Sequence, residues 1–165
     1  MKKYLAMFFV AVVLMTAVAC QGQGGNQPDP GKKFKTLQER LESIVDASGI
    51  EGIMTGRQYR QIGKDDAAFF IGTESFNGTF KECIALEPEI DIDAFVLGLF
   101  ELEEGADVMA FAKEISDKAN PTKWICVGAE DKYVAVSGSY VLFVMSSKAD
   151  ITKIAVAAGY EPGQK

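Results

Sequence analysis

The order of the predicted elements indicates an α+β fold: a mostly antiparallel sheet of about four to five strands with helices packed on one face, in a single domain. Strands and helices do not alternate one for one, which argues against a parallel sheet. Residues 132–136 and 140–146, rich in Val, Tyr and Phe and joined by Ser137-Gly138-Ser139, form the clearest hairpin. Ala94–Leu102 is an almost uninterrupted apolar run, typical of a strand buried on both faces.

Residues 1–19 have the composition of an export signal. Lys2 and Lys3 precede an uncharged run, Tyr4–Ala19, that ends in small residues. A membrane-spanning helix needs about 20 predominantly apolar residues, more than this run supplies. We therefore expect residues 1–19 to be removed and the protein to work outside the cytoplasm, with an uncleaved N-terminal helix as an alternative.

Residues 14–20 (LMTAVAC) resemble a bacterial lipoprotein signal. The resemblance implies that Cys20 carries a diacylglycerol and becomes the mature N-terminus, so that the protein is lipid-anchored to a cell-envelope membrane on its extracytoplasmic side. Two or three acyl chains anchor firmly, since each buried CH₂ contributes about 0.8 kcal/mol. Ala17 stands where that family usually has Leu. Ordinary secretory cleavage at the same bond, which leaves Cys20 as a plain thiol, is the second alternative.

Residues 20–33 combine this cysteine with a Gly-, Gln- and Pro-rich segment that has no apolar side chain, the composition of a flexible tether. The folded domain is expected over residues 34–165. Its first helix begins at a capping box formed by Thr36 and Glu39 and ends at Gly49. Glycines then interrupt residues 50–79, where only Asp65–Ile71 is predicted to be helical.

The remaining elements follow from apolar spacing. Residues 80–86 are predicted to form a strand. Glu104–Asp107 opens a helix that ends before Pro121. Asp150 is expected to cap the last helix, which closes at Gly159.

Composition excludes several functional classes. The chain has no histidine, which removes the usual Ser-His-Asp and Cys-His nucleophilic machinery and nearly all zinc sites. Its net charge is −6, and loss of the signal peptide, with two lysines and no acid, makes it −8. A surface of that charge repels phosphate backbones, so no nucleic-acid partner is expected. No cofactor and no enzymatic activity are expected.

Two cysteines, Cys83 and Cys126, lie in the predicted domain. Export permits a disulfide between them, and closing that loop would stabilise the fold by about 4 kcal/mol. Each also lies among apolar neighbours, where a free thiol packs as a small hydrophobe. The sequence leaves both states open.

The most unusual feature is a series of alternating acids: Glu87, Glu89, Asp91 and Asp93. In an extended segment they project from one side, with Ile90 and Ile92 on the other. Such carboxylates are weak candidates for a Ca²⁺ site or for the acid and base of a histidine-free hydrolase. The simpler interpretation is a polar connection whose acids face water while the isoleucines seat it on the core.

Two further groups receive ordinary structural interpretations. The basic cluster around Tyr59, formed by Arg57, Arg60 and Lys64, is expected to be a solvated loop. The aromatic side chains of Trp124, Tyr133 and Tyr140 are expected to pack in the core rather than line a ligand groove.

Residues 94–119 and 137–147 are similar to the C-terminal half of a family of small bacterial lipoproteins, a domain of unknown function common in clostridial-type bacteria. The resemblance implies an anchored envelope protein and supplies no catalytic residues. The first hypothesis is a non-catalytic lipoprotein that binds an unknown protein or small ligand. The alternatives are a carboxylate hydrolase or a divalent-cation-binding lipoprotein that uses Glu87–Asp93.

Overall fold

The computed structural model describes residues 33–90 and 92–160. The predicted signal peptide, the predicted lipidation site Cys20, the predicted tether up to residue 32, and Asp91 lie outside the described residues. In chain order the elements are α1 (Leu37–Ser48), β1 (Arg57–Gln61), α2 (Ala67–Ile71), β2 (Glu82–Pro88), β3 (Val96–Glu101), α3 (Val108–Lys118), β4 (Asp131–Ser137), β5 (Tyr140–Ser146) and α4 (Lys148–Ala157). None of the described helices is long and apolar enough to span a membrane.

The five strands form one sheet in the order β1-β2-β3-β5-β4, and every neighbouring pair is antiparallel. The predicted α+β class in a single domain is confirmed. The central strand β3 is buried at every residue except Glu101, as its apolar run indicated. The predicted hairpin is β4–β5, where Ser137 pairs with Tyr140 across a turn that places Gly138 at φ +59°.

The helices lie on both faces of the sheet, and the expectation of one face was wrong. The first face packs against α1 and α4, and its core includes Leu41, Ile44, Leu86, Leu97, Val144 and Ile154. The second face packs against α2 and α3, and its core includes Phe70, Phe100, Phe111, Ile115 and Phe143. Because neighbouring residues of a strand project to opposite faces, the continuous apolar run of β3 requires a cover on both sides.

Two helix starts differ in detail from the prediction. The Thr36 hydroxyl accepts from the Glu39 N–H at 3.1 Å, as expected, but the Glu39 carboxylate accepts from the Lys35 N–H at 2.8 Å, one residue before the cap. In α4 the cap is Ser147, whose hydroxyl accepts from the Asp150 N–H at 3.1 Å. Asp150 therefore lies in the first turn, where its charge is favourable near the helix N-terminus.

The basic cluster is not a solvated loop, because Arg57–Gln61 forms the edge strand β1. The sequence of this strand, RQYRQ, lacks the apolar alternation that marks a strand. Pairing with β2 holds it in place. The backbone hydrogen bonds of this pairing come from β2, which is distant from β1 along the chain.

Candidate functional site

A groove on the α2/α3 face, here called the Trp124 groove, has a cavity volume of about 600 Å³. Its lining comes from β1, from the end of β2, from the start of β3, from the end of α2 and from the loop after α3. The principal lining residues are Arg60, Phe69, Gly72, Thr73, Glu74, Glu87, Pro88, Glu89, Val96, Asn120, Lys123, Trp124 and Ile125. This volume lies within the range of small-molecule sites, about 300–1,000 Å³.

The end of α2 and the loop that follows α3 meet very closely in one wall of the groove. Gly72 closes α2 with φ +78°, and a Cβ there would lie 2.7 Å from the Cβ of Lys123. Glycine is needed at this position for the backbone conformation and for the close approach. A hydrogen bond also joins the two segments, because the Asn120 N–H in the loop donates to the Ile71 carbonyl at the end of α2 at 3.0 Å.

Lys123 joins the wall to the aromatic floor. Its Nζ donates to the Phe70 carbonyl at 2.6 Å. The same nitrogen lies 5.6 Å from the ring centroid of Phe69, 5.5 Å from that of Phe70 and 5.2 Å from that of Trp124. An ammonium at these distances is attracted to the faces of aromatic rings. Lys123 thus links the loop after α3 to the end of α2 and to the aromatic floor of the groove.

Two large apolar side chains stand out of the groove rim into solvent. Phe69 is 72% exposed and Ile125 is 93% exposed. Trp124, between Lys123 and Ile125 in the chain, is only 8% exposed and belongs to the core. Apolar rims beside a concave floor are typical of interaction sites, because exposed side chains of this size gain most from burial by a partner.

The groove lining carries three carboxylates, Glu74, Glu87 and Glu89, against two cations, Arg60 and Lys123. Glu87 is already paired, because its Oε2 accepts from Nε and Nη2 of Arg60 at 2.9 and 2.7 Å. Glu74 and Glu89 are exposed and form no ion pair within residues 33–90 and 92–160. The groove therefore offers a partner apolar surface with free negative charge beside it.

The alternating acids do not form a comb. Glu87 pairs with Arg60, Glu89 lies on the groove rim, and Asp91 lies outside the described residues. Asp93 accepts from the Arg57 Nε at 2.6 Å. Among the residues that the structure describes, no group of three or more potential ligands converges as a metal site.

The connection between β2 and β3 is a turn-rich loop rather than an extended segment. Ile92 N–H donates to the Ile90 carbonyl and Phe95 N–H to the Asp93 carbonyl, each at 2.9 Å. Ile90 and Ile92 are 62% and 71% exposed, so the expectation that they seat the loop on the core was wrong. Phe95, 1% exposed, fills that role.

Arg57 fixes this loop to β1. Its guanidinium lies 3.7 Å from the ring centroid of Phe95, and its Nη1 donates to the Ile53 carbonyl at 3.0 Å. The arginine thus holds Asp93 and Phe95 together by an ion pair and by stacking. Two of the alternating acids, Glu87 and Asp93, are therefore ion-pair partners of the basic cluster.

Both cysteines of the domain are free thiols. Cys83 is fully buried in the core on the α2/α3 face, and this burial raises the pKa of its thiol well above the usual value. Cys126 is exposed, so the expectation that it packs in the core was wrong. It follows Ile125 on the outer side of the loop.

Of the three aromatic residues assigned to ordinary packing, only Trp124 lines the groove. Tyr133 and Tyr140 pack on the α1/α4 face. The Phe69-Phe70 pair gives no local signal for the groove, because neighbouring helix residues can both be buried, as Phe70 and Ile71 are. Phe70 is fully buried and Phe69 is left outside.

No protein-family model, curated protein or solved structure matches this chain. The geometry of the groove is therefore the basis for a functional proposal.

Proposed function

We propose that this protein is an exported, lipid-anchored module of the cell envelope that binds an apolar, positively charged segment or ligand in the Trp124 groove without transforming it. The observation that carries the proposal is the exposed pair Phe69 and Ile125 beside a concave floor and two carboxylates, Glu74 and Glu89, that form no ion pair with the rest of the described chain. The apolar rim supplies the free energy of association. Glu74 and Glu89 select against anionic partners, nucleic acid among them.

The position of the groove relative to the start of the domain supports this role. Residues 33 and 34 lie beside Glu82, Glu101 and Tyr140, at the ends of the strands farthest from the groove. The groove lies at the other end of β2, about 20 Å away at 3.3 Å per residue, and on the opposite face of the sheet. A chain anchored through Cys20 and the tether thus keeps the groove on the side away from its point of attachment.

The same contacts argue against the two alternatives. A hydrolase needs carboxyl groups that converge on a cleft, and a calcium site needs six to eight oxygens. Glu87 and Asp93 instead each form an ion pair with an arginine through one carboxylate oxygen. We therefore place these two acids among the structural contacts of β1, and the resemblance to small bacterial lipoproteins likewise brings no catalytic role.

The anchor is tested on the protein made in a bacterial host. We expect the natural product to begin at Cys20, to carry the mass of a diacylglycerol and to partition into detergent. The Cys20→Ala variant should lose the lipid mass and leave the membrane fraction. A product of the unmodified mass that starts at Cys20 would support ordinary secretion, and a product that starts at Met1 would refute export.

The groove is tested with Trp124, the single tryptophan of the chain, as an internal probe. The mature chain with Cys20→Ser is titrated with a short peptide of alternating leucine and lysine, and in parallel with its leucine–glutamate counterpart. We expect a saturable change of tryptophan fluorescence with the lysine peptide only. Screening by salt should weaken it, because the acids of the rim are exposed.

Surface variants locate the binding. Replacement of Phe69 by Ser should abolish the fluorescence change, and Glu74→Gln with Glu89→Gln should weaken it. Met109→Ser is the matched control, because Met109 on α3 is 69% exposed, against 72% for Phe69. Equal binding by the Phe69 and Met109 variants, or equal response to both peptides, would refute the proposed site.

A further inference from the structure

The two edges of the sheet differ in how they are protected against pairing with another strand. β1 is short, and its two arginines are held in ion pairs beside the strand. β4 has seven residues, DKYVAVS, with no proline and with both charges at its start. Natural edge strands avoid association by brevity, charge, bulges or proline. The β1 edge uses the first two devices, and β4 beyond Lys132 uses none of them.

The outward backbone groups of β4 can be assigned from the hydrogen bonds of β5. Leu102 N–H donates to the Ser139 carbonyl at 2.9 Å, so the odd-numbered residues of β5 bond towards β3. Its even-numbered residues then bond to β4, whose partners in the register are odd-numbered. The amide and carbonyl groups of residues 132, 134 and 136 therefore point away from the sheet.

The contact of Lys132 agrees with this assignment. Its N–H donates to the Asp131 Oδ1 at 2.8 Å rather than to a strand. No strand of the described chain pairs with the outer edge of β4. The edge is thus a row of backbone donors and acceptors at Val134 and Val136 that is ready to receive another strand.

We infer that β4 pairs antiparallel with β4 of a second copy of this chain, centred on Val134. This register pairs all seven residues of the strand. It sets Asp131 opposite Ser137 of the second copy and Lys132 opposite Val136, so no like charges meet. It also sets Tyr133 opposite Ala135, a large side chain against a small one.

A second copy fits better than a foreign strand because the edge is complementary to itself. In this register the charged end of each β4, Asp131 and Lys132, lies opposite the uncharged end of the other β4, Val136 and Ser137. The uncharged centre of the strand lies opposite its own copy. Residues directly opposite in a sheet project from the same face. The dimer therefore keeps both α1/α4 layers on one side of a ten-stranded sheet, assuming the order of each half is retained. Both tethers then start from one side, and both Trp124 grooves lie on the other.

Disulfide trapping tests the register. The mature chain carries Cys20→Ser and Cys126→Ser, and Cys83 stays in place because it is fully buried. With Val134→Cys, mild oxidation should convert the chain to a covalent dimer of twice the mass. Lys132→Cys is the matched control on the same edge: its two copies would lie about 13 Å apart, since each is opposite residue 136. A disulfide needs Cα atoms within about 7 Å.

Mixing Lys132→Cys with Val136→Cys chains should restore the crosslink, since these positions are opposite each other. Equal crosslinking by Val134→Cys and Lys132→Cys alone would indicate random collision and overturn the register.

For chains without added cysteine, sedimentation equilibrium should give twice the chain mass. Val134→Lys should halve that mass, and Gln61→Lys on the β1 edge should leave it unchanged. A monomer would overturn the proposed pairing. Hydrogen exchange at the Val134 and Val136 amides would then tell the two cases apart: protection would show that something else occupies the edge, and fast exchange would show that the edge is free.

Discussion

A single methyl group at Gly98 probes the packing that positions the groove. Gly98 lies in the middle of β3, and its backbone is not in the left-handed region, so alanine suits the conformation. The added Cβ would lie 2.7 Å from Cζ and 2.9 Å from Cε1 of Phe70. That ring cannot move freely, because it packs against Phe100 and Phe143 at centroid distances of 6.1 and 5.7 Å. The structure thus predicts overpacking.

We expect Gly98→Ala to lower the free energy of unfolding by about 1–3 kcal/mol, the usual cost of overpacking a core. In a domain of this size the melting temperature falls by about 4 °C per kcal/mol. Urea denaturation followed by circular dichroism measures the change. Gly63→Ala is the matched control, because its Cβ would meet only the Asp66 carboxylate at 3.6 Å. Both substitutions reduce the entropy of the unfolded chain equally, so the control should be neutral or slightly stabilising.

A second substitution identifies the clash. Phe70→Leu is itself destabilising, because it shortens a buried side chain. In the Gly98→Ala background it should cost less, since the smaller side chain makes room for the methyl group. Strictly additive effects, or equal stability of Gly98→Ala and Gly63→Ala, would refute the proposed packing of α2 on β3.

Three further predictions concern thiols, pH and cations. Cys126 should react with a thiol reagent in the native protein, whereas Cys83 should react only on unfolding, since burial excludes the reagent and raises the pKa of this thiol; equal rates would contradict the fold. Burial, and then the nearby carboxylates of α1, raise the pKa of Tyr59 to about 12. Because the unfolded phenol loses its proton first, near pH 10, stability should fall as the pH rises from about 10 to about 12, and Tyr59→Phe should flatten this fall in urea titrations. Millimolar Ca²⁺ should leave the melting temperature unchanged, because arginines occupy two of the acids in residues 87–93; a rise would restore the cation-binding alternative.

Local periodicity was sufficient for much of the fold. The helix that became α1, the buried strand β3 and the β4–β5 hairpin all follow from apolar spacing or turn residues within about ten positions of each other. The buried run of β3 also contained the information that both faces are covered. The prediction that all helices pack on one face was wrong because it was inferred from element order alone. Element order does not specify on which side of the sheet each helix packs.

The candidate site could not be found in this way, because its parts come from distant positions in the chain. The acids of the β2–β3 loop suggested chemistry until Arg57 and Arg60, some thirty positions earlier, were found paired with Asp93 and Glu87. Trp124 became a groove residue only through its place beside α2 and the end of β2.

By itself, the sequence determined the acidic charge, the lack of histidine and the local elements, because each depends on composition or on neighbouring residues. It also predicts an export signal at residues 1–19. The tertiary structure decided the β1 edge strand, the two helix layers, the ion pairs and the Trp124 groove. These depend on burial and pairing between segments that meet only when the chain folds, and no short pattern of residues encodes such a meeting.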